Sequence, residues 1–410
     1  MPKPPNLPNQ PKLPNPPIDA DAFSLRAIAL PAFGPSLLYG IANGAMLPVI
    51  ALSAYELGAS TALAGLIVAL SGIGALVSNL PAAMITTAFG ERRAMLGAAA
   101  VSVAGLLLCI FAVGPWMLAA GVLLTGMAGA VFWLARQTFL IEVTPFAMRA
   151  QALSTLAGSM RIGAFVGPFA GAALIHFLGL SGAYWIALIA MVGVGWIATI
   201  VPDLGVDQAR QAEPVARPSF AGIFRSHAGV LLTLGFGVLL VSALRSARPV
   251  VVPLWATHLG LEPAVVSIVY GLASAVDMAV FYPAGKVMDR HGRIWVALPC
   301  VLLMGGSLLW MPLTNQLTTF VAASLLLGLG NGIGSGIVMT LGADSSPRAG
   351  RAEFLGLWRI LADIGSCGGP VLLSVVTAAI SLTAGITTIG ALGFVAAAVF
   401  WRWLPLPRRR

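Results

Sequence analysis

The sequence predicts an all-α integral membrane protein: twelve transmembrane helices in two six-helix halves, related as parallel repeats around a central cavity. Three observations carry this. Charge is scarce, with 58% of the 410 residues hydrophobic and 9% charged. A soluble domain carries roughly 25%, so most of this surface must face lipid. Apolar runs of membrane-crossing length recur twelve times. Finally, the chain aligns with itself at a fixed offset of 202 residues.

Runs able to cover about 30 Å of hydrocarbon fall at 30–53, 61–88, 94–113, 115–141, 150–178 and 181–202, then at 228–256, 263–288, 294–313, 316–342, 352–380 and 384–404. Residues 30–202 form the N-terminal half and 228–404 the C-terminal half. The stretch 203–227, with Asp203, Asp207, Arg210, Glu213, Arg217 and Arg225, is the one long polar interior segment and reads as a cytoplasmic linker. Residues 1–29 are Pro-rich and polar, the composition of a disordered cytoplasmic tail. Residues 405–410 form a short basic tail.

The net charge of +9 is topological and does not point to nucleic acid. With both termini in the cytoplasm, 18 of the 23 Lys and Arg lie in tails, cytoplasmic loops or their margins, and the opposite loops hold none. That bias sets the orientation and predicts a multi-pass plasma-membrane protein. Cys109, Cys300 and Cys367 lie in apolar runs without paired or metal-type spacing and read as packed small side chains.

The repeat is clearest where matches are hard to obtain by chance. At the 202-residue offset Gly90 falls on Gly292, Pro81 on Pro283 and Pro145 on Pro347. Residues 142–168 against 344–370 give 9 identities in 27 positions. An even number of helices separates the copies, so both halves share one orientation, related by an axis along the membrane normal.

Two motifs stand out. PAGKVMDRHGR (283–293), between spans 8 and 9, brings together Gly285, Asp289, Arg290, Gly292 and Arg293. Its N-terminal counterpart keeps Gly90, Arg92 and Arg93 but has Thr87 in place of Asp289. The glycine permits a tight reversal, and the aspartate can cap or pair with the next helix start. In span 5, GAFVGPFAG places Gly163, Gly167 and Gly171 on one face beside Pro168. Gly365, Gly369 and Pro370 repeat that face in span 11. Small residues at this spacing let helices pack closely.

On these motifs and the repeat, the chain resembles the major facilitator superfamily over about 30–404. The resemblance implies a secondary transporter working by alternating access, with the 283–293 loop as a cytoplasmic gate. It also implies that the third, sixth, ninth and twelfth helices are outer supports. The span 5 motif is associated in that family with exporters. The family's span 4 arginine and glutamine are absent, their places taken by Val122 and Thr125.

Ionisable groups deep in a bilayer cost several kcal/mol unless they face protein or water, so their positions nominate a site. Spans 3, 6 and 9 hold none, whereas spans 4, 5, 7, 8 and 11 carry Arg136, Arg161, Arg245, Arg248, Asp277, Arg359 and Asp363. Arg161 and Asp363 are 202 apart and are expected at matching depths near the midplane, facing each other across the two-fold. Arg245 and Arg248 are expected near Asp277, with Arg359 and Asp363 as an alternative i, i+4 pair. Arg136 and Arg359, nearer the cytoplasm, are expected to snorkel. Tyr39 and Asn43 on span 1, together with Arg136 and Arg359, are candidate cavity-lining residues.

Five arginines against two aspartates favour an anionic or zwitterionic substrate. Asp277 and Asp363 are the candidate proton carriers. The composite expectation is proton-coupled export of a small amphipathic or anionic compound, by a monomer needing no cofactor or metal. Import of a sugar, organic acid or other metabolite is the alternative, followed by a membrane sensor or lipid-handling protein. An enzyme is disfavoured: His176, His227, His258 and His291 are scattered, and no nucleophile motif or ATP-binding loop is present.

Overall fold

The computed structural model describes residues 29–144, 148–200, 220–347 and 350–404. Outside them lie the expected N-terminal tail up to residue 28, the linker up to 219, the basic tail 405–410 and the repeat-matched Pro145.

Every described regular element is a helix, and twelve stretches are long and apolar enough to cross a membrane. The first half comprises α1 (Ala29–Glu56), α2 (Thr61–Phe89), α3 (Glu91–Ile110), α4 (Pro115–Val143), α5 (Arg149–Leu178) and α6 (Ser181–Ile200). The second comprises α7 (Phe220–His258), α8 (Pro263–His291), α9 (Ile294–Trp310), α10 (Leu317–Ile333), α11 (Ile337–Ser345), α12 (Arg351–Ala379) and α13 (Leu382–Trp403).

Two details depart from the sequence reading. α7 begins at Phe220, inside the stretch expected as linker, and turns out of helical geometry at His227 (φ −121°, ψ 18°). The tenth span is not one helix. In NGIGSG the chain turns at residues 334–336, where Ser335 N–H goes to the Gly332 carbonyl (3.2 Å). Glycine withholds the side-chain packing and backbone restriction that would keep the helix continuous.

The repeat is visible in the packing. α1 packs on α5 and α7 on α12; α2 on α4 and α8 on α10; α1 on α6 and α7 on α13; α3 on α6 and α9 on α13. The halves meet chiefly at α2–α12 and α5–α8, which exchange under the same two-fold, with smaller α1–α7 and α1–α8 contacts. The supports expected at every third span, α3, α6, α9 and α13, pack within their own halves.

The register is equivalent in detail. A side chain at Gly163 would strike the Leu37 carbonyl, and one at Gly365 the Leu239 carbonyl, 202 residues on. Gly167 against Ile41 repeats as Gly369 against Ala243, and Gly126 against Ser71 as Gly328 against Ala273. Gly171 differs: a methyl there would meet Ala45 at an ordinary 3.5 Å. The reversals also repeat, with Gly90 at φ 80° and Gly292 at φ 98°, values that favour a residue without Cβ.

On the face opposite the chain ends the halves are closed. Val49, Ile50, Ala51 and Ala54 of α1 and Val250, Val251 and Ala256 of α7 are fully buried. Gly65 there abuts Ser374 and Val250, and Gly271 abuts Phe169. Towards the terminal face the contacts between halves run down to Asn79–Asp363 and Arg161–Phe281.

Candidate functional site

Asp277 is the middle residue of the 29-residue α8, which sets it at the bilayer midplane if α8 spans evenly. Its carboxylate is shared by two guanidinium groups, Arg161 of α5 (3.3 Å) and Arg248 of α7 (3.7 Å). Asn331 of α10 also donates its side-chain amide to Asp277 Oδ2. Glycine brings α10 so close: a Cβ at Gly332 would lie 2.6 Å from the Asp277 carbonyl oxygen.

Arg245, one turn before Arg248 on α7, joins the group through Asn331. Its Nε donates to Asn331 Oδ1 (2.9 Å) and its Nη2 to the Asn331 carbonyl (2.8 Å). That carbonyl lies at the break between α10 and α11, where Ser335 N–H turns to Gly332 instead. Arg245 therefore supplies a close donor where the interrupted helix offers only the Ser335 hydroxyl at 3.4 Å. Arg248 is buried, donates to Ser274 Oγ (2.8 Å) and the Tyr270 carbonyl (3.1 Å), and lies 4.4 Å from the Tyr270 ring centroid. Arg161 lies 4.2 Å from the centroid of Phe281. Three arginines thus gather around one aspartate.

The second carboxylate sits apart. Asp363 of α12 accepts a 2.9 Å hydrogen bond from Asn79 of α2, and the half-exposed Arg359 approaches only to 3.9 Å. The Arg161–Asp363 pair expected across the two-fold does not form. Residues related by a two-fold share a depth but stand on opposite sides of the axis. Each meets the facing helix of the other half, Arg161 at α8 and Asp363 at α2.

Two lobes of one central cavity hold these groups. One, about 340 Å³, is lined by Asn79, Trp133, Arg359 and Asp363. The other, about 260 Å³, is lined by Arg161, Arg248, Ser274 and Asp277. Tyr39, Asn43 and Leu47 of α1 line both. Tyr39 stacks on Phe132 (4.7 Å), and Asn43 donates to the Tyr39 carbonyl within α1 (3.0 Å). The cavity therefore has a cation-rich lobe and a lobe with a lightly paired carboxylate.

Arg136 corrects an expectation: unlike Arg359, it lines neither lobe. It does not snorkel; it is the largest fully buried side chain. Its Nη2 donates to the Pro31 carbonyl (2.7 Å), while Nε and Nη1 have no hydrogen-bond partner among the described residues. The reason lies four residues along α1, where Pro35 has no N–H to offer that carbonyl.

At the terminal face, Arg293 binds Asp344 (2.8 Å) and Asp289 (3.5 Å) and donates to the Met288 carbonyl (2.9 Å). The Asp344 hydrogen bond raises the Arg293 pKa above its ordinary value. This clamp ties the end of α8 and the start of α9 to α11. The first-half positions equivalent to Asp289, Arg293 and Asp344 are Thr87, Glu91 and Glu142, so the clamp is not duplicated. Arg92 there donates to the Thr199 carbonyl (2.6 Å) instead. A methyl group added at Gly285 would meet nothing within 4 Å.

Sequence reasoning missed Asn79, Asn331 and Asp344. The first two are neutral amides in apolar spans, a signal legible in the sequence though weaker than a charge. Asp344 lies exactly one repeat after Glu142.

The sequence profile of the Major Facilitator Superfamily matches residues 33–244 and 234–410. Multidrug resistance protein MdtH of Yersinia pestis (strain Pestoides F) is 23% identical over 290 residues, 70% of each chain. The same similarity holds for MdtH of Yersinia pseudotuberculosis serotype O:1b (strain IP 31758). Among solved structures, a POT family transporter in complex with a thioalcohol-conjugated peptide superposes with a TM-score of 0.75 at 12% identity, covering 92% of this chain and 96% of that one. A D-xylose–proton symporter gives 0.71 at 16% identity, covering 93% and 98%.

Proposed function

The chain belongs to the Major Facilitator Superfamily, and on that premise we propose that this secondary transporter exports a small amphipathic or anionic compound in exchange for protons. It is a membrane transporter rather than an enzyme. The observation carrying the proposal is the division of labour between the two carboxylates. Asp277 supplies one negative charge among Arg161, Arg248 and Arg245, a surplus of two positive charges, and of these Arg161 and Arg248 line the cavity where an anionic group would sit. Asp363 has a neutral amide and one distant guanidinium, which makes it the carboxylate placed to exchange a proton. Protonating Asp363 removes the charge that Asn79 binds and loosens the α2–α12 contact between halves. Proton occupancy is thereby linked to the equilibrium between cavity states, as alternating access requires.

Export is supported by the span 5 motif, built here into the α1–α5 interface, and by the multidrug relatives. The missing span 4 motif supports the second reading, proton-coupled import. The loop arginines support cytoplasmic termini, and we take the protein to work as a monomer in the plasma membrane.

Direction and substrate charge are tested together in inside-out vesicles with an acid lumen. Radiolabelled organic anions and permanent organic cations of similar size serve as probes. The proposal expects anions to accumulate in the lumen as protons leave. Accumulation of cations alone contradicts the anionic substrate, and gradient-driven loss of anion from preloaded vesicles supports import instead.

A further inference from the structure

A second cavity has no part in this scheme. It is an apolar groove of about 470 Å³ on the outer flank of the first half, lined by α2, α3 and α4. α2 and α3 each pack on α4 more closely than on each other, which leaves a trough floored by Met127, Ala128 and Val131. Small residues on α3, Ala94, Gly97 and Ala98, keep it open, and a methyl group at Gly97 would meet nothing within 4 Å. The packed α2–α4 pair separates the groove from the central cavity, whose lining takes the other faces of the same helices.

The groove has one charged end. On α2 it runs from Phe89 to Val77, about 18 Å at 1.5 Å per residue. One leaflet of hydrocarbon is about 15 Å deep. Arg93 stands at the terminal-face end, exposed, and among the described residues it has no hydrogen bond or ion pair. Its neighbour Arg92 is engaged by the Thr199 carbonyl. A leaflet-length apolar trough headed by an unpaired guanidinium matches an acyl chain below an anionic head group.

We propose that this groove is a binding site for an anionic phospholipid of the leaflet at the terminal face, with its phosphate on Arg93 and one acyl chain lying over Gly97 between α2 and α3. Free phosphate offers the same charge without the chain, so the test separates the two.

The experiment compares wild type, Arg93→Gln, Arg93→Lys and Gly97→Leu, purified in detergent. Lipid retention is read by native mass spectrometry with phosphatidylglycerol or phosphatidylcholine of identical chains, and thermal stability with each lipid and with inorganic phosphate. The proposal expects wild type to prefer phosphatidylglycerol, and Arg93→Gln to lower its retention about fivefold, the weight of one basic residue at a lipid surface. Arg93→Lys should restore most of that preference. Gly97→Leu, which fills the trough from an open position, should reduce retention of both lipids. Equal retention by all four proteins overturns the proposal, as does equal preference for the two lipids. Stabilisation by phosphate equal to that by phosphatidylglycerol also overturns it, by assigning Arg93 a free anion.

Discussion

Asn79 and Asp363 are joined by a 2.9 Å hydrogen bond that crosses from α2 to α12, and the two-fold repeats this contact with different chemistry. Adding 202 to Asn79 gives Phe281, and subtracting 202 from Asp363 gives Arg161, whose guanidinium lies 4.2 Å from the Phe281 ring centroid. One crossing between halves is thus amide to carboxylate, and the other cation to aromatic ring. The first depends on a titratable acceptor. The second does not.

The first prediction concerns the substrate lobe. Arg161→Gln is expected to raise KM for an anionic substrate by about tenfold to a hundredfold, the weight of a lost charge-assisted contact. Measured under the same gradient, Arg248→Gln should also lower the yield of folded protein, because Arg248 is buried against the Tyr270 carbonyl and Ser274.

Helix packing gives a second prediction. Gly163→Ala and Gly365→Ala each force a methyl against a carbonyl of the neighbouring helix, at a cost of about 1–3 kcal/mol. Gly171→Ala has ordinary contact distance and should be nearly neutral. Thermal unfolding in detergent separates them: both former variants should fall below wild type, and the last should match it.

Arg136 supports a third. Arg136→Met should destabilise the wild-type background, because the Pro31 carbonyl loses its donor. In Pro35→Ala, whose new N–H can bond that carbonyl, the same change should cost less. A double-mutant cycle measures the difference; additive effects would show that Arg136 does not act through Pro31.

A fourth concerns the clamp at the terminal face. The Asp344 hydrogen bond raises the Arg293 pKa. A raised basic group contributes stability that is fully present below its unfolded pKa and lost only as pH rises through the folded one. The clamp should therefore hold unchanged from neutral to mildly alkaline pH. The reactivity of a cysteine placed at Ser346, taken relative to a free thiol at the same pH because the thiolate fraction itself rises, should stay flat over that range with Asp344 present and be higher at every pH in Asp344→Asn.

The fold was legible because its causes are local or periodic. Apolar run length marked the spans, and the offset linking Gly163 to Gly365 and Gly90 to Gly292 marked the repeat. The break between α10 and α11 was written in Gly332, Gly334 and Gly336 yet read as one span, since hydropathy does not register a turn within an apolar run. The site was legible in its charges but not in its pairs. Depth along a helix follows from counting residues, so Arg161 and Asp363 are expected at one level. Which helix each faces depends on rotation and tilt, which a single sequence does not fix. Arg136 was misread for a related reason: proximity to a helix end suggested an escape to the interface, whereas the defect at Pro35 supplies a reason to stay buried.

The most direct test of the central claim is gradient-driven accumulation in proteoliposomes by wild type, Asp363→Asn and Asp277→Asn, each also assayed for substrate exchange without a gradient. The account predicts that Asp363→Asn abolishes accumulation while exchange persists, because the proton site is lost and the cavity is not. Asp277→Asn should impair both, since Arg161 and Arg248 lose their shared partner. Accumulation by Asp363→Asn at the wild-type level would contradict the account, leaving the Asn79–Asp363 bond as a static contact between the halves.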